Sequence, residues 1–418
     1  MPTADNSEAS KDISCADVAL AGFPEMTARH NSVLSPTAAG GSTAQMRYFS
    51  NIMLIVTENC NLRCSYCYEQ EKPYSAKKRM SWPTAQKAID QFFQQVPEHA
   101  DRTSITFFGG EPTLEFDLIK KVIAYSYSHR TIGHYRGKDY NYVINTNGTL
   151  LSEEMYQLFG RLGRKLNLRV SADGFREGHD ITRKTVDGKG SWRLVGKNLT
   201  YHRNLKERFG VDVYLISTIN KSSYRDIYLN FTKLHEYTGM HLGCLFVHED
   251  KWEKKDFEIL KEQILLLKEY SIRHNVNMPL CRTGGRPNIS DPDNDDTFHS
   301  ICGAGVSSYT VNTTGDIFAC HRANYHGFED DFRLGSIDTG LNIDKRLLMY
   351  EINNLKTLPL KCLKCLPVIR EKCHLCLASN KEAYGGFHTV ADAYCSFMNE
   401  LHQLVVDKER QMRKAAGR

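Results

Sequence analysis

The chain has 418 residues, enough for two to three domains and for a core that needs no covalent staples. Hydrophobic residues make up 41% and charged residues 25%, which excludes the disordered, collagenous and coiled-coil classes. Lys and Arg number 54 against 49 Asp and Glu, too even a balance for a dedicated nucleic-acid or anionic-membrane binder. No segment offers the ~20 apolar residues that span a bilayer, and Met1 to Ser10 lacks the basic start and apolar run of a signal peptide, so the chain is expected in the cytoplasm.

Residues 1–45 are rich in Ala, Ser, Thr and Gly without sustained periodicity and read as a mobile N-terminal extension. Short apolar runs follow at Asn51–Thr57, Ser104–Phe108, Tyr140–Asn145, Leu166–Val170, Val211–Ile216 and Leu242–Val247, and are expected to be strands. Between them, Trp82–Gln95, Leu118–Ser128, Ser152–Leu162, Leu194–Arg208 and Tyr224–Tyr237 carry apolar residues at three and four spacing and are expected to be helices. Strand and helix in alternation mean parallel strands with crossover helices, so residues 46–285 predict an α/β fold, a partial (β/α)6 barrel of the TIM type. In such a barrel the chemistry gathers at the C-terminal ends of the strands. After a helix around Lys254–Asn275, the Gly, Pro, Asn and Asp rich loop Arg282–Asp296 marks a boundary. A Cys-rich domain over 286–398 and a C-terminal helix over 399–418 complete the expectation.

Thirteen cysteines in a reducing compartment, an odd count, point to metal or redox chemistry rather than to a disulfide framework. Ten of them fall in two clusters, leaving Cys15, Cys244 and Cys281 outside. In Cys60-Asn-Leu-Arg-Cys64-Ser-Tyr-Cys67, three thiolates lie within eight residues directly after a strand, a loop able to wrap three irons of a 4Fe-4S cube and leave the fourth open. A zinc site would want four ligands in paired two-residue gaps. Buried structural cysteines have no reason to gather at a strand end.

This motif, with an aromatic before its last cysteine, resembles that of the radical SAM superfamily, and Gly109-Gly110-Glu111-Pro112 after the second strand matches a segment of the same family. The resemblance implies that the open iron binds the amino and carboxylate groups of S-adenosylmethionine (SAM). By the same resemblance Gly109, Gly110, Glu111 and Pro112 hold the methionine ammonium, Tyr66 lies near the adenine, and Ser171 and Asp173 reach the ribose or nearby SAM atoms. Asn145 and Asn147 line the same mouth, or simply cap the strand end. Arg183 either pairs the SAM carboxylate or is an exposed helix arginine.

The second cluster is Cys302, twelve residues, Gly315, four residues, Cys320, then Cys362-Leu-Lys-Cys365, Cys373-His-Leu-Cys376 and Cys395. It resembles the SPASM extension, whose members carry two auxiliary 4Fe-4S clusters and modify peptides or proteins; the spacing of the last pairs differs from the family's usual one. Carried over, Cys302, Cys320 and Cys376 hold the nearer auxiliary cluster, and Cys362, Cys365, Cys373 and Cys395 the farther one, three 4Fe-4S clusters in all. Paired two-residue gaps also suit two zinc ribbons. Cys281 either completes the nearer cluster or is a free thiol. Glu249 and Asp250 follow the sixth strand and are the candidate catalytic groups, as proton acceptor or peptide holder; the other reading is a solvated charge pair.

The resemblance implies reductive cleavage of SAM to a 5'-deoxyadenosyl radical, with the protein excluding water and positioning the target. The expected activity is oxidative modification or cross-linking of side chains in a ribosomally made peptide. The alternatives are an anaerobic sulfatase maturase, which forms formylglycine from Cys or Ser, and, in another class, a non-enzymatic iron-sulfur electron carrier. The expected partners are a peptide or protein substrate and an electron donor of the flavodoxin or ferredoxin type, with no nucleic acid and no membrane.

Overall fold

A computed structural model describes residues 48–70, 78–96, 103–129, 140–247, 250, 252–276, 278, 300–324, 329–365 and 376–415. The first six strands are β1 (Asn51–Thr57), β2 (Thr103–Gly109), β3 (Tyr140–Thr146), β4 (Leu166–Ser171), β5 (Asp212–Ile219) and β6 (His241–Phe246). Each pairs in parallel with the next, in chain order. Helices α1 (Trp82–Gln95), α2 (Phe116–His129), α3 (Glu153–Leu162), α4 (Glu177–Asp180), α5 (Trp192–Phe209), α6 (Ile227–Thr238) and α7 (Lys254–Arg273) supply the crossovers. The result is an α/β partial barrel of six strands, as the alternation of apolar runs and helical periods predicts.

The two faces of this sheet differ because strand side chains alternate. Ile52, Leu54 and Val56 of β1, Leu168 and Val170 of β4, and Val213 and Leu215 of β5 are buried in the main apolar cluster. They meet helix residues placed at three and four spacing, such as Ala85, Ala88, Ile89, Phe92 and Phe93 of α1. That helix starts where it does because the Ser81 hydroxyl accepts from the Thr84 amide and Pro83 occupies its first turn. The opposite, inner face carries polar groups: Asn51 Nδ2 donates to Ser104 Oγ at 2.7 Å and Thr106 Oγ1 at 2.8 Å, and Asn167 Nδ2 donates to Asp212 Oδ2 at 2.8 Å.

The sheet continues past the barrel. β7 (Ser308–Val311) runs parallel to the free edge of β1, and β8 (Asp316–Phe318), β9 (Arg333–Ser336) and β10 (Gly340–Leu341) add antiparallel to it, making one ten-stranded sheet. Short helices α8 (Glu329–Phe332), α9 (Ile343–Ile352), α10 (Leu360–Leu363) and α11 (Leu377–Tyr384) follow, then the long α12 (Asp392–Ala415). The last returns to the barrel along α7: Phe397 stacks on Phe257 at 4.6 Å, Lys268 pairs with Glu409 at 2.8 Å, and Lys261 pairs with Glu400. The boundary expected near 285 falls among residues outside the description, as do Cys281, Cys373, Glu249 and the extension 1–45.

Candidate active site

β1 ends at Thr57, and the chain then turns across the mouth of the barrel as the loop bearing Cys60, Cys64 and Cys67. Two neighbours hold that loop. On one side the Gly110 amide donates to Thr57 O at 3.0 Å and the Glu111 amide to Asn59 O at 2.8 Å. The approach is so close that a Cβ on Gly110 would lie 2.3 Å from Asn59 O, and one on Gly109, whose φ is +129°, 2.0 Å from Thr57 O. On the other side Arg63 N donates to Lys184 O at 2.6 Å and Ser65 N to Thr182 O at 2.9 Å. The glycines therefore serve backbone approach to the cysteine loop itself.

Glu111 is fully buried and spends its carboxylate on the protein. Oε1 accepts from Thr113 N, Thr113 Oγ1 and Thr146 Oγ1, and Oε2 accepts from Asn147 N at 2.6 Å. Burial raises its pKa, opposed by those hydrogen bonds. Pro112 is buried beside it at the start of a short turn. Asn147 links the exits of β1 and β3: its Nδ2 donates to Asn61 Oδ1 at 2.8 Å and lies 3.8 Å from Cys60 Sγ. Asn145, on the inner face at the end of β3, has a buried Nδ2 with no hydrogen-bond partner among the described residues.

Asp173, beyond the end of β4, organises the rest. Its Oδ2 accepts from Tyr66 Oη at 2.6 Å, Thr182 Oγ1 at 3.0 Å and Arg183 Nε at 2.9 Å, and its Oδ1 accepts from Thr218 N at 2.9 Å. Arg183 is buried rather than surface-exposed; its guanidinium lies 5.6 Å from the Tyr66 ring centroid and reaches Cys64 Sγ at 3.8 Å. Burial works against the charge of Arg183, but Asp173, Tyr66 and Cys64 outweigh it and its pKa is raised. Burial raises the Tyr66 phenol too, so it donates as a neutral hydroxyl. Burial also pushes the Cys60 and Cys67 thiols up to about 12, helped by Glu111 and Glu69 respectively, and raises Cys64 against the pull of Arg183. Ser171, at the last position of β4, sits on the inner face half-buried.

The remaining candidates separate into groups. Cys302, Cys320 and Cys376 lie close enough to act on one another electrostatically, and burial pushes Cys302 to about 11 and Cys320 to about 12. Asn353, fully buried, ties Cys302 down at both its amide (2.8 Å) and its sulfur (3.6 Å). Cys362, Cys365 and Cys395 interact in the same way, and Cys365 approaches Asn399 Oδ1 at 3.5 Å. Cys244 lies in β6, packed against the core. Asp250 Oδ2 accepts from Lys221 N at 2.7 Å, which fastens the β6 exit to the start of the β5–β6 crossover. Among the described residues, no three His, Cys, Asp or Glu side chains converge on a single-ion site.

Sequence reading did not reach Thr182 and Thr218, which partner Asp173 from positions far along the chain, nor the burial of Arg183. His321, the residue after Cys320, adds a further tie. That ring sits 4.5 Å from Phe108 on β2 and 6.2 Å from Tyr68, joining the Cys320 region to the barrel mouth.

The donor set suits an iron-sulfur cluster. Three soft sulfurs rise from one loop, in surroundings where burial keeps the thiols protonated unless a strong cation offsets it. Residues 54–228 match the model of the radical SAM superfamily. The barrel portion of the chain therefore carries a radical SAM domain. The chain is 33% identical over 161 residues to an uncharacterised protein of Methanocaldococcus jannaschii, and the match spans 51% of that relative's length. It is 22% identical over 397 residues to a cysteine-type anaerobic sulfatase-maturating enzyme of Clostridium novyi, covering 87% of this chain and 96% of the relative. With the radical SAM cyclopropyl synthase TigE of Paramaledivibacter caminithermalis it shares 23% identity over 384 residues, 86% of this chain and 75% of the relative. The solved structure of native anSMEcpe with bound AdoMet and Kp18Cys peptide has the same fold, with a TM-score of 0.66 at 18% identity over 87% of this chain and 99% of that one.

Proposed function

We propose that this radical SAM enzyme oxidises or cross-links side chains of a ribosomally made peptide at the inner face of its partial barrel. The reading is carried by one observation: the Cys60, Cys64, Cys67 loop, clamped between the Gly110–Glu111 backbone and residues 182–185, lies across the mouth of a concave, polar-lined sheet. Those cysteines would hold a 4Fe-4S cluster, and Tyr66, Asn147, Ser171, Asp173 and Arg183 surround the place where SAM would bind. When bound, the cluster and SAM together supply a carbon radical able to remove a substrate hydrogen. The chain's own part is positional. Asp173 fixes the Arg183 guanidinium, a donor suited to a carboxylate. Glu111 fixes the exit of β3 against the loop. Cys302, Cys320 and Cys376, and Cys362, Cys365, Cys373 and Cys395, would hold two further clusters.

The near full-length likeness to the Clostridium novyi sulfatase maturase favours a second reading, oxidation of a Cys or Ser to formylglycine. The two products differ in chemistry, since formylglycine is an aldehyde that reacts with a hydrazide probe and a cross-link does not. Anaerobic incubation with SAM, a reductant and a panel of synthetic peptides, some containing Cys or Ser, should yield 5'-deoxyadenosine and an altered peptide that is blind to hydrazide. In a variant with Cys60, Cys64 and Cys67 all changed to Ala, 5'-deoxyadenosine should vanish. Undiminished cleavage of SAM by that variant would overturn the assignment of the barrel loop.

A further inference from the structure

The inner face of the partial barrel holds a row of side chains that the site above does not use. Strand register aligns Asn145 of β3 with Arg169 of β4, Arg169 with Tyr214 of β5, and Tyr214 with His241 of β6. All four stand on the face opposite the apolar cluster, since their strand neighbours Ile144, Leu168, Val170, Val213, Leu215 and Leu242 belong to that cluster. Arg169 is exposed to the concave space, and Tyr214 and Asn145 are half-buried.

Among the described residues, Asn145, Arg169 and Tyr214 of this row keep donor groups that no acceptor takes up. Asn145 Nδ2 is buried and unpartnered among the described residues. Arg169 uses only Nε, which donates to Asn167 Oδ1 at 3.2 Å, and among the described residues its two terminal nitrogens meet no carboxylate at ion-pair distance. The carboxylate that acts on it, Asp212, is engaged by Asn167 Nδ2 at 2.8 Å. The Tyr214 hydroxyl has no described acceptor, and its ring stacks beside His241 at 6.0 Å, which limits where that hydroxyl can point. A buried amide donor left unpaired costs stability, and a guanidinium with its terminal nitrogens unengaged suits a planar anion. Desolvation by the surrounding wall lowers the Arg169 pKa although its surface reaches solvent, with Asp212 and Tyr214 opposing, yet a guanidinium stays charged at any physiological pH.

We propose that Asn145, Arg169 and Tyr214 form a carboxylate subsite that anchors the substrate of this enzyme inside the barrel. Arg169 takes the two oxygens in its fork, and the Asn145 amide and Tyr214 hydroxyl donate from either side. The subsite lies on the same strand face as Ser171, two residues further in, or about 7 Å at the strand rise. A substrate held there by its carboxylate presents its next few atoms to the SAM side of the mouth. The inference deepens the peptide reading and rests on it for the identity of the ligand: an Asp or Glu side chain, or a C-terminal carboxylate.

Phenylglyoxal, which modifies free guanidinium groups, tests the subsite without relying on turnover. The cluster-reconstituted enzyme is treated anaerobically, and adducts at Arg169 are quantified by peptide mass spectrometry. Arg169 should react, and the reaction should slow several-fold with N-acetylglutamate N-methylamide, a side-chain carboxylate, or with N-acetylalanine, an α-carboxylate. The neutral N-acetylglutamine N-methylamide should give no protection. The better protector identifies the source of the carboxylate. Protection should fall in Asn145→Ala and in Tyr214→Phe, both checked for iron content and cooperative unfolding. Protection by the neutral amide equal to that by the carboxylates, protection by none of the three, or an Arg169 that never reacts would each overturn the subsite. Absence of peptide-dependent 5'-deoxyadenosine alongside clear carboxylate protection would instead fault the proposed function and leave the subsite standing.

Discussion

At Asp173 a single carboxylate accepts from Tyr66, Thr182 and Arg183 on one oxygen and from the Thr218 amide on the other, while its side chain is 0% exposed and that of Arg183 8%. Removing one member of so buried an ion pair strands the other charge in a low dielectric, a loss of about 3–5 kcal/mol. Asp173→Ala should therefore lose stability of that order in anaerobic urea unfolding, and should also weaken SAM binding because Arg183 loses its anchor. A loss under about 1 kcal/mol would mean that Arg183 finds another anion, and the network would not be the organiser described above. The sequence flags Tyr66, Asp173 and Arg183 singly, through motif resemblance. Their union is not legible there, because it spans residues 66 to 218 and depends on two strand exits meeting in space. Arg169 is hidden for a related reason: alternation places it on the inner face, but only the registers of β3, β4 and β5 put Asn145 and Tyr214 beside it.

Among the elements, the loop after β1 owes its shape to the turn after β2, whose glycines leave room for it. On Gly110 a Cβ would stand 2.3 Å from Asn59 O and 2.9 Å from Glu58 O, backbone atoms that cannot swing aside. Gly110→Ala should leave the barrel folded, since the apolar face of the sheet is untouched, but shift the cysteine loop by a fraction of an ångström to an ångström. Displacements of that size at a reacting centre cost up to about a hundredfold in rate. Far-ultraviolet circular dichroism should be unchanged while SAM cleavage falls by that order. Cleavage at the wild-type rate would show that the loop tolerates the shift. The elements themselves were readable: α1 begins and ends where the spacing of its apolar residues puts it, and the buried runs of β1 to β4 show because parallel strands inside a layer of helices are apolar on the packed side. β7 to β10 were not, being strands of two to four residues, too short to show a period.

Across the whole molecule, the ten-stranded sheet makes the cysteine groups parts of one rigid frame. β7 is hydrogen-bonded to β1, the strand that launches the Cys60 loop, and leads through β8 to Cys320; His321 then packs back onto Phe108 of β2. Cys302 and Cys376 act electrostatically on Cys320 there, while Cys362 and Cys365 act likewise on Cys395 of α12, which is itself fastened to α7. Three separate sets of sulfurs predict three cubes, about twelve irons per chain after anaerobic reconstitution. Changing Cys60, Cys64 and Cys67 to Ala should remove about four of them, and so should changing Cys362, Cys365 and Cys395, because each set stands on different elements and neither supports the other's loop. Iron and sulfide analysis with electron paramagnetic resonance of each variant separates the contributions. Wild-type protein that retains about four irons and tightly bound zinc would assign the C-terminal sets to zinc, leaving the barrel loop as the sole cluster site.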